Sequence, residues 1–353
     1  MCWLGLKFRS LLVDDAGWLT EAANDPDVAK YSVSVYPITE HEISEFLKKE
    51  LEKNGSKCIV AELDGEPAGF VDIDPRTGRE RHVAWLGIDV RRKHWGKGVG
   101  TGLMNEAIRL TKGLGCRKLM LGTIEGNERA ILLYKKFGFE TEAYEEDAVY
   151  IDGSWRKSYI MGLELAPCEP KLEQSTLSKP LTSSTKFTET ISADIHVRQL
   201  MNRDLDEVNR IQNCPKSTKS CQRIPPITKE ETKRWYEKLK SREGKYCIAC
   251  FNGDKILGYL QFKADVLPWP RLRFEETIVD VNQKPEETSN ALIAAIKEFK
   301  ERYGYRKIFA YIPQTSSAIT STLENHGFKN TGAMKCYYFI DGHYVDVALF
   351  GYP

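Results

Sequence analysis

A glycine-rich turn at residues 94–102 carries the most distinctive chemistry of the sequence. It consists of His-Trp-Gly-Lys-Gly-Val-Gly-Thr-Gly, follows an apolar segment and leads into an amphipathic one. Glycines let successive backbone N–H groups point into one concavity, and a helix N-terminus adds partial positive charge, so the two together can bind a phosphate group. Four flanking basic residues are expected to add formal charge: Arg91, Arg92, Lys93 and Lys97. The turn therefore predicts a phosphate-binding site.

Two common nucleotide motifs do not fit this turn. A Walker A loop needs Gly-Lys-Ser or Gly-Lys-Thr after four spacer residues, and the turn contains neither. The dinucleotide fingerprint needs a third glycine three residues after the second. That position holds Leu103 or Thr101, depending on which glycines are counted. A flexible connection without a ligand remains the alternative interpretation.

Two later segments extend the pattern. Residues 125–127 are Glu-Gly-Asn, and residues 133–139 are Leu-Tyr-Lys-Lys-Phe-Gly-Phe. Together with the run from Leu86 to Gly102, they resemble the GCN5-related N-acetyltransferase (GNAT) superfamily, and the resemblance covers residues 6–165. It implies that the turn holds the pyrophosphate of acetyl-CoA, while the preceding strand pairs with the pantetheine arm.

The resemblance also implies a set of acetyl-CoA contacts on the strand, on the turn and on the next helix. Trp95 departs from the family pattern, which usually has Arg or Gln at that position. No metal is expected. The implied cofactor-binding residues are Ile88, Asp89, Val90, Trp95, Gly96, Lys97, Gly98, Val99, Gly100, Thr101, Asn127 and Tyr134.

The reaction that the resemblance implies is direct attack of an amine on the acetyl-CoA thioester. This needs a donor for the developing oxyanion, a proton for the departing thiolate and a base for the amine. A backbone N–H near Ile88–Val90 would serve the oxyanion, and Tyr134, seven residues after Asn127, would serve the sulfur. The alternatives are a tyrosine that only packs in the core and an asparagine that only caps a helix.

The base is assigned to His82, the nearest titratable residue on the strand before the turn. Related enzymes often carry a glutamate on this strand, where this chain has Ala84 and Trp85. A structural role for His82 is the alternative, and Asp89 and Asp74 are weaker candidates for the base. Catalysis without a base, through ordered water and an already neutral amine, also stays open.

The chain repeats itself at a fixed offset of 189 residues. Arg9 matches Arg198, and residues 151–153 (Ile-Asp-Gly) match residues 340–342. Further matches in the same register indicate a tandem repeat of one domain. In the second copy, residues 282–290 (Asn-Gln-Lys-Pro-Glu-Glu-Thr-Ser-Asn) replace the glycine-rich turn. Because two glutamates stand where a pyrophosphate would lie, we expect a degenerate second copy and one acetyl-CoA per chain.

Helix-like and strand-like segments alternate on both sides of a Ser/Thr/Pro-rich stretch. We assign residues 1–165 to an N-terminal GNAT domain, 166–193 to a linker and 194–353 to a C-terminal GNAT-like domain. Hairpin signals such as Asp64-Gly65 predict an α/β fold whose mostly antiparallel mixed sheet is flanked by helices. The two domains could pack as a pseudo-dimer.

Apolar periodicity predicts individual elements in the first copy. A helix is expected over residues 40–53, and strands at Lys57–Leu63 and Lys118–Ile124. The closing strands are expected at Ala148–Ile151 and Tyr159–Leu165.

Composition narrows the class of protein. Of 353 residues, 41% are hydrophobic, so the chain can build a core. Lys and Arg number 51 against 50 Asp and Glu, a net charge of +1 that gives no global case for nucleic acid or a membrane surface. No stretch approaches the roughly 18 apolar residues of a spanning helix. The nine cysteines are scattered, and Cys247 and Cys250 fit a buried strand better than a metal site.

We therefore expect a cytoplasmic N-acetyltransferase that transfers the acetyl group of acetyl-CoA to a primary amine on a small molecule or peptide. The alternative is a catalytically silent acetyl-CoA-binding protein with a regulatory or interaction role. By family analogy, residues 24–40 should form the acceptor side. Protein N-termini, lysine side chains, polyamines, amino acids and aminoglycosides all stay open as acceptors.

Overall fold

The computed structural model describes residues 5–32, 37–52, 55–151, 153–166, 195–220, 224–265 and 270–353. These residues form two compact units: the first contains residues 5–166 and Thr331–Tyr337, and the second contains residues 195–265, 270–330 and 338–353. Residues 167–193 of the predicted linker, and Asp152, lie outside the described residues, and the predicted domain boundaries stay predictions. No helix in these ranges is long and apolar enough to cross a membrane.

Seven strands form the sheet of the first unit. They are β1 (Leu6–Ser10), β2 (Lys57–Leu63), β3 (Glu66–Pro75), β4 (Val83–Val90), β5 (Lys118–Ile124), β6 (Glu140–Ile151) and β7 (Ser154–Glu164). Their order across the sheet is β1-β2-β3-β4-β5-β7-β6. Neighbouring strands are antiparallel except β4 and β5, which run parallel. The predicted mixed, mostly antiparallel sheet is thus confirmed.

Five helices accompany this sheet. They are α1 (Ala16–Ala23), α2 (Pro26–Ala29), α3 (Glu40–Glu52), α4 (Val99–Gly113) and α5 (Glu128–Lys136). In α4, Leu103 and Ala107 lie four residues apart and are fully buried in one core with Val71 of β3. Burying a side chain such as Leu103 contributes about 1.5–3 kcal/mol. This packing holds the N-terminus of α4 against the end of β4.

The closing strands are longer than the sequence pattern predicts. β6 begins at Glu140 rather than Ala148, and β7 begins at Ser154 rather than Tyr159. Polar side chains fill much of both strands, so apolar periodicity marks only part of each. The β6–β7 register also shifts near Asp147, which has φ of +50°. Such a bulge interrupts the alternation that sequence patterns depend on.

Seven more strands and four more helices follow in the described part of the chain, and they belong to the second unit apart from Thr331–Tyr337, which the first unit includes. The strands are β8 (Ile195–Gln199), β9 (Lys245–Asn252), β10 (Lys255–Asp265), β11 (Arg271–Val279), β12 (Lys307–Pro313), β13 (Lys329–Ile340) and β14 (His343–Tyr352), in the order β13-β14-β12-β11-β10-β9-β8. The helices are α6 (Leu205–Gln212), α7 (Lys229–Lys240), α8 (Pro285–Tyr303) and α9 (Ser317–Asn325). Here β11 and β12 are the parallel pair, as β4 and β5 are in the first unit.

The repeat extends to individual side-chain contacts. Arg9 at the end of β1 pairs with Asp15 at 2.7 Å, and 189 residues later Arg198 pairs with Asp204 at 2.8 Å. In each unit the aspartate also accepts a backbone N–H, which ties the first strand to the following helix. Two domains with one common plan therefore lie in tandem.

Cys247 and Cys250 are free thiols in β9, with 2% and 0% exposure. The predicted buried-strand role is therefore what the structure shows. Within the part of the chain that the structure describes, no group of three or more His, Cys, Asp or Glu residues could hold a metal ion.

Candidate active site

The glycine-rich turn leads directly into α4. Gly96 and Gly98 have φ values of +75° and +86°, which residues with a side chain adopt only with strain. Gly98 is the N-cap of α4, and the first bond of the helix runs from the Gly102 N–H to the Gly98 carbonyl at 3.0 Å. The N–H groups of residues 99–101 precede this bond, so they have no carbonyl partner within the helix. N–H groups at a helix N-terminus of this kind are suited to bind a phosphate group.

Three of the four basic residues around the turn already have acidic partners. The sequence predicts that these residues add formal charge around the turn, and the ion pairs show that carboxylates share that charge. Phosphate binding at the glycine-rich turn would therefore depend on backbone N–H groups more than on these flanking side chains. The pairs are Arg91 with Glu21 at 2.6 Å, Arg92 with Asp27 at 2.6 Å and Lys93 with Glu66 at 2.5 Å.

Trp95 anchors the turn to the strand before it. Its indole Nε1 donates to the Val90 carbonyl at 2.7 Å. The guanidinium of Arg129 lies over the indole ring, 4.2 Å from the centroid. A cation above an aromatic face is stabilising, so Trp95 also links the turn to α5. Trp95, which departs from the family pattern, thus holds the glycine-rich turn in place with its side chain.

β4 separates from β5 just before the turn. Their parallel pairing runs from Val83 with Lys118 to Leu86 with Leu121. Beyond this point β4 continues to Val90 and stays paired with β3 on its other side. The edge of residues 87–90 that faces β5 is therefore open, and an extended arm with amide groups could hydrogen-bond to it.

A cavity of about 320 Å³ opens beside this end of β4. Its walls are mostly apolar and come from α1, α3 and β3 as well as from β4. Two carboxylates, those of Asp72 and Asp89, also line it. The apolar wall includes Trp18, Leu19, Ile43, Phe46 and Phe70.

The two aspartates come together through a glycine. Asp72 of β3 lies opposite Gly87 of β4, while Asp89 lies opposite Phe70. A Cβ atom on Gly87 would collide with the Asp72 carboxylate. Because Gly87 has none, the Asp72 side chain can lie across β4, on the diagonal toward Asp89.

Asp89 and Tyr134 have pKa values that are shifted for a common reason. Asp89 is an exposed residue that lines the cavity. Desolvation by the neighbouring protein, with the Asp72 charge as a second cause, raises the pKa of Asp89 to about 7. Burial, and then the Asp89 charge, raise the pKa of the Tyr134 phenol above its usual range. Near neutral pH, Asp89 can therefore accept a proton while Tyr134 keeps its own.

Asn127 and Tyr134 lie at the two ends of α5. Asn127 is the N-cap, and its Oδ1 accepts the Ala130 N–H at 3.4 Å, a bond that does not use its Nδ2. Tyr134 is 6% exposed and packs against Phe139, with ring centroids 6.0 Å apart. The helix cap and the core packing are both present, and neither excludes a contact with a ligand.

His82 does not join this group. It precedes β4, at the end opposite the glycine-rich turn, and β4 has 8 residues. A strand of that length spans about 26 Å. His82 is 7% exposed, its Nε2 lies 2.8 Å from the Cys336 carbonyl oxygen, and burial lowers its pKa. The structure thus places the predicted base at the far end of β4, whereas the Asp89 charge acts on the Tyr134 phenol.

The second unit lacks the turn in structure as well as in sequence. α8 begins at Pro285, the counterpart of Gly96, so one helical turn takes the place of the cradle. Proline has no N–H group to offer a phosphate. Glu286 and Glu287 occupy the first turn of this helix. The position of Tyr134 is taken by Leu323, which is fully buried.

Buried, hydrogen-bonded side chains lie at positions of the second unit that correspond to the cavity region of the first. Tyr259, which corresponds to Phe70, is fully buried and donates to Glu276 at 2.9 Å. Gln212 donates to the Tyr259 hydroxyl at 3.0 Å and accepts from Thr232 at 2.8 Å. Ile278 stands where the first unit has Asp89. The residues that correspond to Asp89, Tyr134, Phe70 and the glycine-rich turn are therefore all different in the second unit.

Two family models match the chain. Residues 20–139 match the acetyltransferase (GNAT) family, and residues 197–349 match the acetyltransferase (GNAT) domain. The two matches fall on the two units of the structure.

Individual relatives are named for similar reactions. The spermidine N(1)-acetyltransferase of Escherichia coli (strain K12) is 28% identical over 182 residues, covering 50% of this chain and 95% of that protein. The L-amino acid N-acetyltransferase AaaT of the same organism is 33% identical over 112 residues, 31% of this chain and 69% of that protein. A solved GNAT-family acetyltransferase from Streptococcus pneumoniae has 28% identity and a TM-score of 0.40, covering 46% of this chain and 99% of that one. The chain is an acyltransferase that belongs to the GNAT family, with two GNAT domains in tandem.

Proposed function

We propose that the first unit transfers the acetyl group of acetyl-CoA to a primary amine. The observation that carries this proposal is that the Asp89 charge acts on the Tyr134 phenol, with pKa values suited to a base and an acid, and that Asp89 lies at the end of β4 that leads into the glycine-rich turn. The turn suits the pyrophosphate, and the open edge of residues 87–90 suits the amide groups of the pantetheine arm. The cavity beside Asp89 then takes the amine.

Each residue has a role that follows from its chemistry. Asp89 accepts a proton from the amine, whose nitrogen forms a bond to the acetyl carbon. A backbone N–H of Ile88–Val90 stabilises the oxyanion. As the carbon–sulfur bond breaks, Tyr134 gives its proton to the thiolate. The Nδ2 group of Asn127 donates to the pantetheine arm of acetyl-CoA, while its Oδ1 caps α5.

We assign catalysis to the first unit alone. The second unit has glutamates, a proline and a buried, hydrogen-bonded tyrosine at the corresponding positions. A carboxylate facing a pyrophosphate is repulsive, and Pro285 removes one of the N–H groups that would bind it. The second unit is therefore proposed to keep the fold and to have lost the cofactor site, so that one acetyl-CoA binds per chain.

Release of free CoA thiol from acetyl-CoA in the presence of a panel of primary amines tests the reaction. We expect amine-dependent release, and calorimetry should give a stoichiometry near one. Gly98→Glu, which copies the residue of the second unit, should abolish both acetyl-CoA binding and thiol release. Glu287→Gly, at the corresponding position of the second unit, is the matched control and should leave both unchanged.

Two outcomes would contradict the proposal. Tight acetyl-CoA binding with no thiol release from any amine of a broad panel would favour the silent, acetyl-CoA-binding alternative. A stoichiometry near two, or loss of activity in Glu287→Gly, would place a functional cofactor site in the second unit.

A further inference from the structure

The walls of the acceptor cavity are suited to an apolar group on the ligand. Trp18 and Phe70 meet edge to face, with centroids 6.5 Å apart and planes at 73°. Phe46 lines the same cavity and is 45% exposed, an unusual exposure for a large aromatic side chain. Covering such a ring with an apolar group removes surface from water at about 25 cal/mol per Å². The cavity therefore favours a ligand with a hydrophobic or aromatic substituent.

Two acidic side chains from neighbouring strands line the cavity. Asp72 and Asp89 both line it, and each raises the energy of the other's negative charge. Glu42 also lines the cavity, but its carboxylate accepts the Thr39 N–H at 2.8 Å and the Thr39 hydroxyl at 2.7 Å, so it caps α3. An ammonium group between the two aspartates would relieve their repulsion, whereas an anion there would add to it.

Arg91 is the one basic side chain among the described cavity residues, and it is held by the fold. It donates to the Glu21 carboxylate at 2.6 Å and to the Pro67 carbonyl at 3.1 Å. The second unit keeps the corresponding pair, Arg210 with Asp280. Because the pair persists although residues of the cavity lining such as Asp89 and Phe70 are replaced there, it serves the architecture of the domain. A carboxylate on the substrate would have to displace Glu21 to reach Arg91.

We infer that the acceptor is a primary amine, cationic in solution, that carries one compact apolar or aromatic group and has no carboxylate. Its ammonium group binds beside Asp72 and Asp89, and its apolar group lies against Trp18, Phe46 and Phe70. This inference rests on the proposed function and adds the class of substrate to it. Free amino acids are disfavoured by their carboxylate, and polyamines by the lack of an apolar group to cover the aromatic wall.

The test compares acceptors that differ in one feature, using the full chain and saturating acetyl-CoA. 2-Phenylethylamine has the amine and the ring, L-phenylalanine adds a carboxylate, L-phenylalaninamide replaces that charge with a neutral amide, and spermidine has no apolar group. We expect kcat/KM, measured by thiol release, to be at least about tenfold higher for 2-phenylethylamine than for phenylalanine or spermidine. The amide should fall nearer to 2-phenylethylamine than to phenylalanine.

A variant pair connects this preference to the cavity. Asp72→Asn should reduce the preference for 2-phenylethylamine over phenylalanine several-fold, because half of the negative charge near the amine is removed. Asp74→Asn is the matched control: Asp74 lies two residues further along β3, pairs with Arg76 at 3.5 Å and does not line the cavity. It should leave the ratio unchanged, whereas a general loss of stability would lower both rates together.

The outcomes separate the two proposals. If phenylalanine or spermidine is acetylated as well as or better than 2-phenylethylamine, the substrate class is wrong while the acetyltransferase function stands. If no amine releases thiol, the proposed function fails, and calorimetric titration of 2-phenylethylamine and phenylalanine then tests the cavity by itself. Equal affinities, or tighter binding of phenylalanine, would overturn the inference on that measurement too.

Discussion

Arg91 and Glu21 form an ion pair at 2.6 Å whose charges are exchanged in the second half of the chain. The residues 189 positions later are Asp280 and Arg210, which pair at 3.0 Å. Reversal of both charges with retention of the contact indicates that the pair, rather than either residue type, is what the fold requires. A repeat that changed one partner alone would have placed two like charges together.

The backbone explains how the exchange is possible. In the first unit, the Arg91 guanidinium also donates to the Pro67 carbonyl at 3.1 Å. In the second, the Arg210 guanidinium donates to the Ile256 carbonyl, the equivalent position, at 2.9 Å. The guanidinium reaches the same acceptor from either side of the pair, so both orientations satisfy the same backbone group.

A charge exchange engineered into the first unit should reproduce this relationship. Glu21→Arg places two cations together and Arg91→Asp places two carboxylates together, so each is expected to lower the free energy of unfolding by about 1 kcal/mol. The double variant should recover most of the loss, because it copies Arg210 and Asp280. Urea unfolding of the full chain measures the free energies of unfolding for this double-mutant cycle. Strictly additive losses would show that the two residues are not coupled.

The pH dependence of kcat/KM should report the influence of Asp72 on Asp89. As a base, Asp89 must be ionised, so the rate should fall as the pH drops through its pKa of about 7. Asp72 raises that pKa by repulsion, and removing its charge lowers it. The acidic limb of Asp72→Asn is therefore expected at lower pH than that of the unmodified chain. An acidic limb that stays in place would show that Asp89 does not titrate in this step.

Substitution of the two candidate bases separates their roles. Asp89→Asn removes the proton acceptor and should reduce kcat about 100-fold or more, since general bases contribute roughly 10²–10⁴. His82→Gln leaves the cavity intact, because His82 lies at the other end of β4. Its pH profile should keep the same acidic limb. The reverse pattern, with a shifted limb only in His82→Gln, would restore the histidine as the base.

Asp89 should also make the folded chain sensitive to pH. The pKa of its carboxyl rises from 3.8 to about 7 on folding, so the ionised form is disfavoured in the folded state. Its contribution to stability is therefore lost as the pH rises from about 4 to about 7. Asp89→Asn should raise the melting temperature at pH 8 and have no such effect below pH 4. An equal effect at both pH values would indicate a change in packing instead.

The sequence predicts the scaffold better than it predicts the acceptor chemistry. Strands Lys57–Leu63 and Lys118–Ile124 have the predicted bounds, because their apolar residues are bounded by clear turn signals. The glycine-rich turn is also a local feature, and its positive φ values at Gly96 and Gly98 follow from residue type.

The acceptor side depends on contacts between strands. Asp72 and Asp89 are 17 positions apart, and only the β3–β4 register with Gly87 between them shows that they share a cavity. The sequence favours His82 as the base because it is the nearest titratable residue on the strand before the turn, and histidine ordinarily titrates near neutral pH. Burial acts against the pKa values expected from residue type, since it lowers the pKa of His82 and raises that of Asp89. Neither effect can be predicted from residue type alone.

Tyr134→Phe tests the proton donor with little change in packing. The phenylalanine ring can keep the contact with Phe139, so the free energy of unfolding should change by less than about 1 kcal/mol. The hydroxyl that protonates the thiolate is lost, and kcat should fall about 10²-fold or more while the affinity for acetyl-CoA changes little. Tyr150→Phe, at an exposed tyrosine, is the control and should retain full activity.

Because the pKa of Tyr134 is raised, the phenol stays protonated across the working range of pH, and the pH profile of the unmodified chain should show no alkaline limb from this residue. A Tyr134→Phe chain with unchanged kcat would assign the proton to another donor and leave Tyr134 as a core residue.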